Sequence, residues 1–242
     1  MLLALDTATA SVGVAVHHDG RLLAEVATQD DRRHGELLAP TLSAALDRAG
    51  VRTGDLDAVV CGVGPGPFTG LRVGVVTALV LAHAADVPVY GVCSLDAIAH
   101  DGVGSGLLDD EFLVATDARR KEVYWARYAV SDGLALRVAG PEVARAADLP
   151  APLRALPCLG RGPLLYPDSL TAPGGTGAGA PEGTVDVRAG ALAAVAAGAL
   201  ADGDPHGVLL DPEPLYLRRP DAAVPGPVKQ VLAPGPSPRG SR

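Results

Sequence analysis

Along the chain, apolar and polar positions first alternate and then change period, and that order lays out the elements. Leu2 to Asp6 is a short apolar run, and Ser11 to His18 sets Val12, Val14 and Val16 against small or polar residues. Asp19-Gly20 then signals a hairpin, since both residues tolerate the left-handed backbone of a tight turn, and Leu22 to Ala27 follows. Three antiparallel strands are predicted at the start. From His34 to Ala49 the period becomes helical, with Leu37, Leu38, Leu42, Ala45, Leu46 and Ala49 on one face and Gly50 as the stop. Leu56 to Val63 reads as a buried strand, Thr69 to Ala85 as a helix apolar on most faces, and Val87 to Val92 as a second buried strand entering a short helix. Buried strands joined by a helix imply parallel pairing.

The same order then starts again. Glu111 to Thr116, Glu122 to Val130 and Leu134 to Ala139 read as strands, with a turn at Ser131-Asp132-Gly133, followed by a weak helix from Pro141 to Leu149 and a strand near Pro157 to Gly160. Strands followed by a helix, seen twice, predict an α/β chain of two ribonuclease-H-like lobes facing each other across a cleft, the second reduced. The expected division is 1–104 for the first lobe and 105–186 for the second, with an aperiodic loop at 167–184. Residues 187–219 carry the Ala-rich helix Ala189 to Ala201 back to the first lobe, and the Pro- and Gly-laden 220–242 is expected to be a disordered tail.

Composition narrows the function. Of 242 residues 48% are hydrophobic but only 3% aromatic, so Ala, Val and Leu must fill the core and elements must approach closely. A net charge of −8 opposes binding a polyanion, because nucleic-acid affinity draws on Lys and Arg displacing counterions. If RNA is involved, a partner is expected to hold it. Cys61, Cys93 and Cys158 form no CxxC pair and read as reduced and buried, which suits the cytoplasm. The start has no basic leader and reads as neither signal peptide nor anchor, and Leu71 to Val87, broken by Arg72, His83 and Asp86, reads as too short to span a bilayer, so no membrane is expected.

The most pointed motif is GVGPGPFTGLRVG, Gly62 to Gly74, where a strand turns through glycines into a helix and can offer backbone N–H groups to an anion. It has no Lys-Ser or Lys-Thr of a P-loop, its third glycine falls one residue late for a dinucleotide fingerprint, and Pro65 and Pro67 remove donors. Asp6, Gly64, Gly66, Thr69 and Gly70 are thus a candidate vestigial phosphate site, with the competing reading that the glycines serve only a tight turn and close packing. Asp6-Thr7-Ala8-Thr9 is open to the same two readings. In the second half, Asp117-Ala-Arg119-Arg120-Lys121-Glu122 fills the matching turn with charge; Asp117 could hold a metal or pair with Arg119. The six histidines make no HxxxH or HExxH pair and no serine lies in a GxSxG elbow, so no catalytic residue and no metal ligand set is assigned.

The segments LALDTATASVGVAV, RRHGELLAP, DAVVCGVGPGPFTGLRVG, PVYGVCSLDAIA, DARRKEVYWARY and PLYLRRP, in order over roughly Met1 to Pro220, resemble the TsaB (YeaZ) family. The resemblance implies the actin/hexokinase (ASKHA) type of two-lobed fold. It also implies a non-catalytic assembly subunit that binds the TsaD transferase, is joined by the ATPase subunit TsaE, and is required for threonylcarbamoyladenosine modification of tRNA. tRNA would be met only through the complex, and pairing of free copies as a homodimer stays open. Where the related transferase carries a metal-binding HxxxH, this chain has Ser94 and Ile98 at the two histidine positions, which implies that the metal site is lost and that no cofactor is used. Family members commonly carry Ser where Pro67 stands. The implied partner interface comprises His34, Leu37, Leu38, Leu42 and Leu46 of one helix and Thr69, Arg72, Val73, Val76, Leu79 and Val80 of the other. The alternative is an active ATP-dependent phosphotransferase of the same fold, with Asp6 and the Gly64 to Gly70 turn on phosphate and Asp117 as base.

Overall fold

The computed structural model describes residues 1–30, 33–106, 108–174 and 184–218, so the expected tail at 220–242 and residues 175–183 of the expected loop at 167–184 lie outside the described residues. In chain order the elements are β1 (Leu2–Asp6), β2 (Ser11–His18), β3 (Arg21–Gln29), α1 (His34–Ala49), β4 (Ala58–Gly62), α2 (Phe68–Ala85), β5 (Val89–Val92) and α3 (Ser94–Gly104). They continue with β6 (Phe112–Asp117), β7 (Glu122–Ser131), β8 (Leu134–Arg145), α4 (Ala151–Arg154), β9 (Cys158–Leu159), α5 (Gly162–Leu165) and α6 (Ala189–Asp202).

The first sheet has the order β3-β2-β1-β4-β5, antiparallel through β1 to β3 and parallel from β1 to β4 to β5. The second repeats the first four positions as β8-β7-β6-β9, with β6 and β9 parallel. Among the described residues it has no counterpart of β5. This is the expected α/β fold of two ribonuclease-H-like lobes of the ASKHA type, the second reduced.

Side chains alternate across a strand, so each strand of a covered sheet feeds two cores. Leu3, Leu5, Val59 and Cys61 face one way and join Leu38 and Ala45 of α1 and Val75, Ala78 and Ala82 of α2. Leu2, Ala4 and Val60 face the other way, into a core shared with α3, α6 and Phe112, Val114 and Tyr128 of the second sheet. On the far side of that sheet Leu113, Ala115 and Trp125 pack with Leu149 and Leu170. The helices α3 and α6 are therefore sandwiched between the sheets, and Ala-rich α6 can lie flat on β1 and β2 because its side chains are short.

Three expectations are corrected. Pro141 to Leu149 is not a helix: β8 runs on to Arg145, with Val143 opposite Tyr124 and Arg145 opposite Glu122, and only a single tight turn at Ala146–Asp148 follows. Pro141 sits where the register slips between Trp125 and Arg127 on an edge strand, a place where a missing N–H breaks no ladder. The α1 stripe expected as a partner face is in large part the chain's own core, since Leu38 is 2% exposed, His34 is buried, and Leu37, Leu42 and Leu46 are half-buried against the same cluster. Helical periodicity reports that a face is covered and does not report by what. Finally, the segment read as too short for a bilayer forms an 18-residue helix, Phe68–Ala85, with mean hydropathy 1.6, long and apolar enough by length and composition to cross a membrane. Its inner face, with Leu71, Val75, Ala78 and Ala82, is nonetheless built into the core.

The division of labour on the two helices sets a stability contrast. Leu38→Ala should lose about 2–5 kcal/mol in urea denaturation, because it leaves a cavity under α1. Val76→Ala, at a position 55% exposed, should stay within about 0.5 kcal/mol.

Candidate functional site

Strand β1 ends in Asp6, which is 1% exposed and hydrogen-bonded within the chain through both carboxyl oxygens. The Ala8 N–H donates to its Oδ1 at 2.7 Å and the Ser94 hydroxyl to its Oδ2 at 2.6 Å. Ser94 Oγ in turn accepts the Gly64 N–H at 3.1 Å, while the Ser94 N–H donates to the Gly64 carbonyl at 2.8 Å. One carboxyl thus ties together the end of β1, the glycine turn after β4 and the first residue of α3. A Cβ on Gly62 would stand 1.7 Å from Asp6 Oδ2, so only glycine leaves room for this carboxyl. Burial pushes the Asp6 carboxyl up to about 6, against the lowering effect of Ser94 and the Ala8 N–H.

The glycine turn closes on the β1–β2 turn. A Cβ on Gly66 would meet the Ala8 carbonyl oxygen at 2.5 Å, one on Gly70 the Thr7 carbonyl oxygen at 2.5 Å, and one on Gly74 the Thr7 hydroxyl at 2.4 Å. Thr7 Oγ1 donates to the Gly70 carbonyl at 2.7 Å. Of the candidate phosphate residues, Asp6, Gly64, Gly66 and Gly70 converge, but they converge on one another and on the Thr7–Ala8 backbone; Thr69 is exposed on α2. Of the two positions that the resemblance sets against histidines, Ser94 is hydrogen-bonded as described and Ile98 is fully buried in the shared core.

Above this closed turn lies a cleft of about 350 Å³ between the lobes, lined by Thr9, Asp30 and His34 on one side and Asp117, Arg119 and Arg161 on the other. His34 Nε2 is 2.8 Å from the Thr9 carbonyl, and Arg161 makes a two-pronged pair with Asp186 at 2.7 and 2.6 Å. Asp117 Oδ1 accepts the Arg119 N–H at 2.7 Å and its Oδ2 lies 3.3 Å from the same residue's guanidinium, which is the ion-paired turn of the two readings above. Arg119, Arg120 and Lys121 stand at three successive left-handed positions, with φ of 61°, 54° and 64°.

Sequence reasoning missed a strap. After α6 the chain pairs Leu210 with Gly91 on the edge of β5, through N–H to carbonyl bonds of 2.8 Å in both directions, and Leu215 donates to the Val63 carbonyl at 2.8 Å. Tyr216 then stacks on Phe68 with centroids 4.9 Å apart, and the Arg72 guanidinium lies 3.8 Å over Phe68 while its Nε donates to Tyr216 Oη at 2.9 Å. Arg218 donates to the Ala118 carbonyl at 2.8 Å and pairs with Glu122. The strap therefore runs from the first sheet across α2 to the second lobe. The available signal was scarcity: with two Phe and five Tyr in the chain, Phe68 and the late Tyr216 stood out. Below Arg72, Val76, Leu79 and Val80 leave the outward face of α2 apolar and exposed, Val80 by 62%.

The buried carboxyl carries a pH signature. Folding holds a proton on Asp6 up to about pH 6 where the unfolded chain releases it near 3.8, so the Asp6 contribution favours folding most below pH 4 and is lost as pH rises through 6. Asp6→Asn, which keeps the acceptor for Ala8, should remove that dependence. Measured against wild type, the variant should gain about 3 kcal/mol at pH 7 relative to pH 3.5, since each tenfold change in proton affinity is worth about 1.4 kcal/mol. Urea denaturation at both pH values measures it.

Residues 21–155, more than half of the chain, match the family model described as TsaD, tRNA N6-adenosine threonylcarbamoyltransferase. An uncharacterized protein of Mycobacterium tuberculosis is 51% identical over 158 residues, covering 64% of this chain and 70% of the relative. The tRNA threonylcarbamoyladenosine biosynthesis protein TsaB of Escherichia coli is 38% identical over 127 residues, 52% of this chain and 54% of the relative, and that of Bacillus subtilis is 34% identical over 134 residues, 55% and 57%. The solved structure of YeaZ from Pseudomonas aeruginosa superposes with a TM-score of 0.75 at 30% identity, covering 89% of this chain and 99% of that one. By sequence and by fold, the chain belongs to the TsaB (YeaZ) family.

Proposed function

We propose that this chain is a non-catalytic assembly subunit in the biosynthesis of threonylcarbamoyladenosine on tRNA, binding the TsaD transferase subunit in the cytoplasm. The observation that carries the reading is the pairing of a closed inner turn with an open outer face. Asp6 is committed to Ser94 and Ala8, and the glycine turn is filled by Thr7 and Ala8. Meanwhile Val76, Leu79 and Val80 are left uncovered on a helix whose other side is already core. A contiguous exposed apolar patch marks an interaction site. The outward side of α1 supports it with Gly35, Ala39 and Ser43, small exposed residues that let a partner helix come close. The partner face on α1 is therefore assigned to these three residues in place of the leucine stripe, and on α2 to Thr69, Arg72, Val76, Leu79 and Val80, with Val73 half-buried between the two helices.

In this reading TsaE joins the complex, tRNA is held mainly by the partner, and free copies meet each other through the same face. The phosphotransferase alternative would need Asp6 and the glycine turn to reach a phosphate, and both are already engaged inside the fold.

Val76→Asp combined with Val80→Asp should abolish coelution with TsaD on a sizing column at micromolar concentration while leaving far-UV circular dichroism unchanged, and should bring modified tRNA down to the level of a deletion strain. Titration calorimetry with ATP and magnesium should show no heat of binding to the isolated chain. Coelution of the variant at wild-type levels, or saturable ATP binding that Asp6→Asn removes, would overturn the assignment.

A further inference from the structure

The turn between β6 and β7 breaks a rule that the other described residues keep. Side chains other than glycine are strained at left-handed backbone positions, least so Asn and Asp, whose short polar groups bond locally. Among the described residues the other non-glycine cases are Asp19, Asp86, Asp132 and Asp204, all aspartates. Arg119, Arg120 and Lys121 are the exceptions, three in succession and all exposed, at positions where glycine would sit without strain. The turn is closed by backbone bonds that any residues could make, Glu122 N–H to the Arg119 carbonyl at 2.9 Å and Ala118 N–H to the Glu122 carbonyl at 3.0 Å. Long cationic side chains held at a strained turn without a backbone reason point to a use for the charge.

The surroundings fit one kind of partner. Arg218 joins them from the strap: with Arg119 and Arg120 it lines one pocket beside Asp117, and two cations face carboxylates, Arg119 on Asp117 and Arg218 on Glu122. The chain's net charge of −8 governs approach over long distances, but at physiological salt the screening length is about 8 Å, so a local cluster acts on what it touches. The cations sit on long flexible side chains at the rim of a pocket they share with the exposed Tyr216, and such side chains suit phosphate groups, which accept from any direction. We infer that the Arg119-Arg120-Lys121 tip contacts the phosphate backbone of the RNA brought in by the assembly, a contact supplied by this chain in addition to the partner's. The inference rests on the proposed role in tRNA modification and extends it.

The test is the salt dependence of tRNA binding by the complex of this chain with TsaD, comparing wild type with the double variant Arg120→Gly and Lys121→Gly. Each lost phosphate contact lowers the slope of log K against log salt by about 0.9, so the double variant should lose a slope of about 1–2 and bind tRNA more weakly at low salt. Its Tm should equal or exceed that of wild type, because glycine relieves the left-handed positions. An unchanged slope overturns the inference, as does a fall in slope that comes only with a lower Tm, which would make the tip structural. A third arm titrates inorganic tripolyphosphate into the isolated chain: binding that the variant loses, with an unchanged tRNA slope, assigns the tip to a free polyphosphate instead and overturns the inference. If no complex forms with TsaD, the assembly reading fails by itself, and tRNA titrated into the isolated chain at low salt decides the RNA contact by the same criteria.

Discussion

The buried Asp6 carboxyl sets the constraint on which the rest of the molecule is arranged. It needs donors for its two oxygens because an unpaired carboxyl in a dry interior is costly to bury, and it finds them in the Ser94 hydroxyl and the Ala8 N–H. Meeting that need pulls the first turn of α3 and the glycine turn of β4 onto the end of β1. Gly62, Gly66, Gly70 and Gly74 are then required as absent side chains, each facing an atom of this small knot at less than 3 Å from where a Cβ would be. The same contacts hold three elements together, the end of β1, the glycine turn and the start of α3.

With its inner turn closed, the chain presents its chemistry outward. The helix α2 is pinned at its start by the glycine packing and by the Phe68–Arg72–Tyr216 cluster of the strap, and its middle shows Val76, Leu79 and Val80 to solvent. The strap ends at Arg218 beside the cationic turn of the second lobe. A proposed partner face and a proposed RNA contact therefore sit at opposite ends of one connected path, from α2 through Tyr216 to the β6–β7 turn.

Much of the fold was legible because its signals are periodic and local. The bounds of α1 came from six apolar positions at helical spacing and a glycine that the structure shows left-handed at φ 66°. The repeat of strands in the second half was equally readable, apart from Pro141, whose usual place at a helix start concealed an edge strand with a register slip. Tertiary facts were not legible. Nothing in the leucine stripe of α1 says that its own sheet covers it, nothing in the glycine motif says that Thr7 and Ala8 fill it, and the pairing of Ser94 with Asp6 spans 88 positions of sequence. The strap escaped notice because it has no period at all, only carbonyls and N–H groups placed against Gly91 and Val63.

Hydrogen–deuterium exchange on the free chain, with TsaD added and separately with magnesium ATP added, addresses the central claim most directly, since it reads the inner turn and the outer helix in one experiment. The expected result is slower exchange across Phe68–Ala85 with TsaD and no change at residues 6–10 or 64–70 with ATP. Protection of 6–10 and 64–70 by ATP, with α2 indifferent to TsaD, would contradict it.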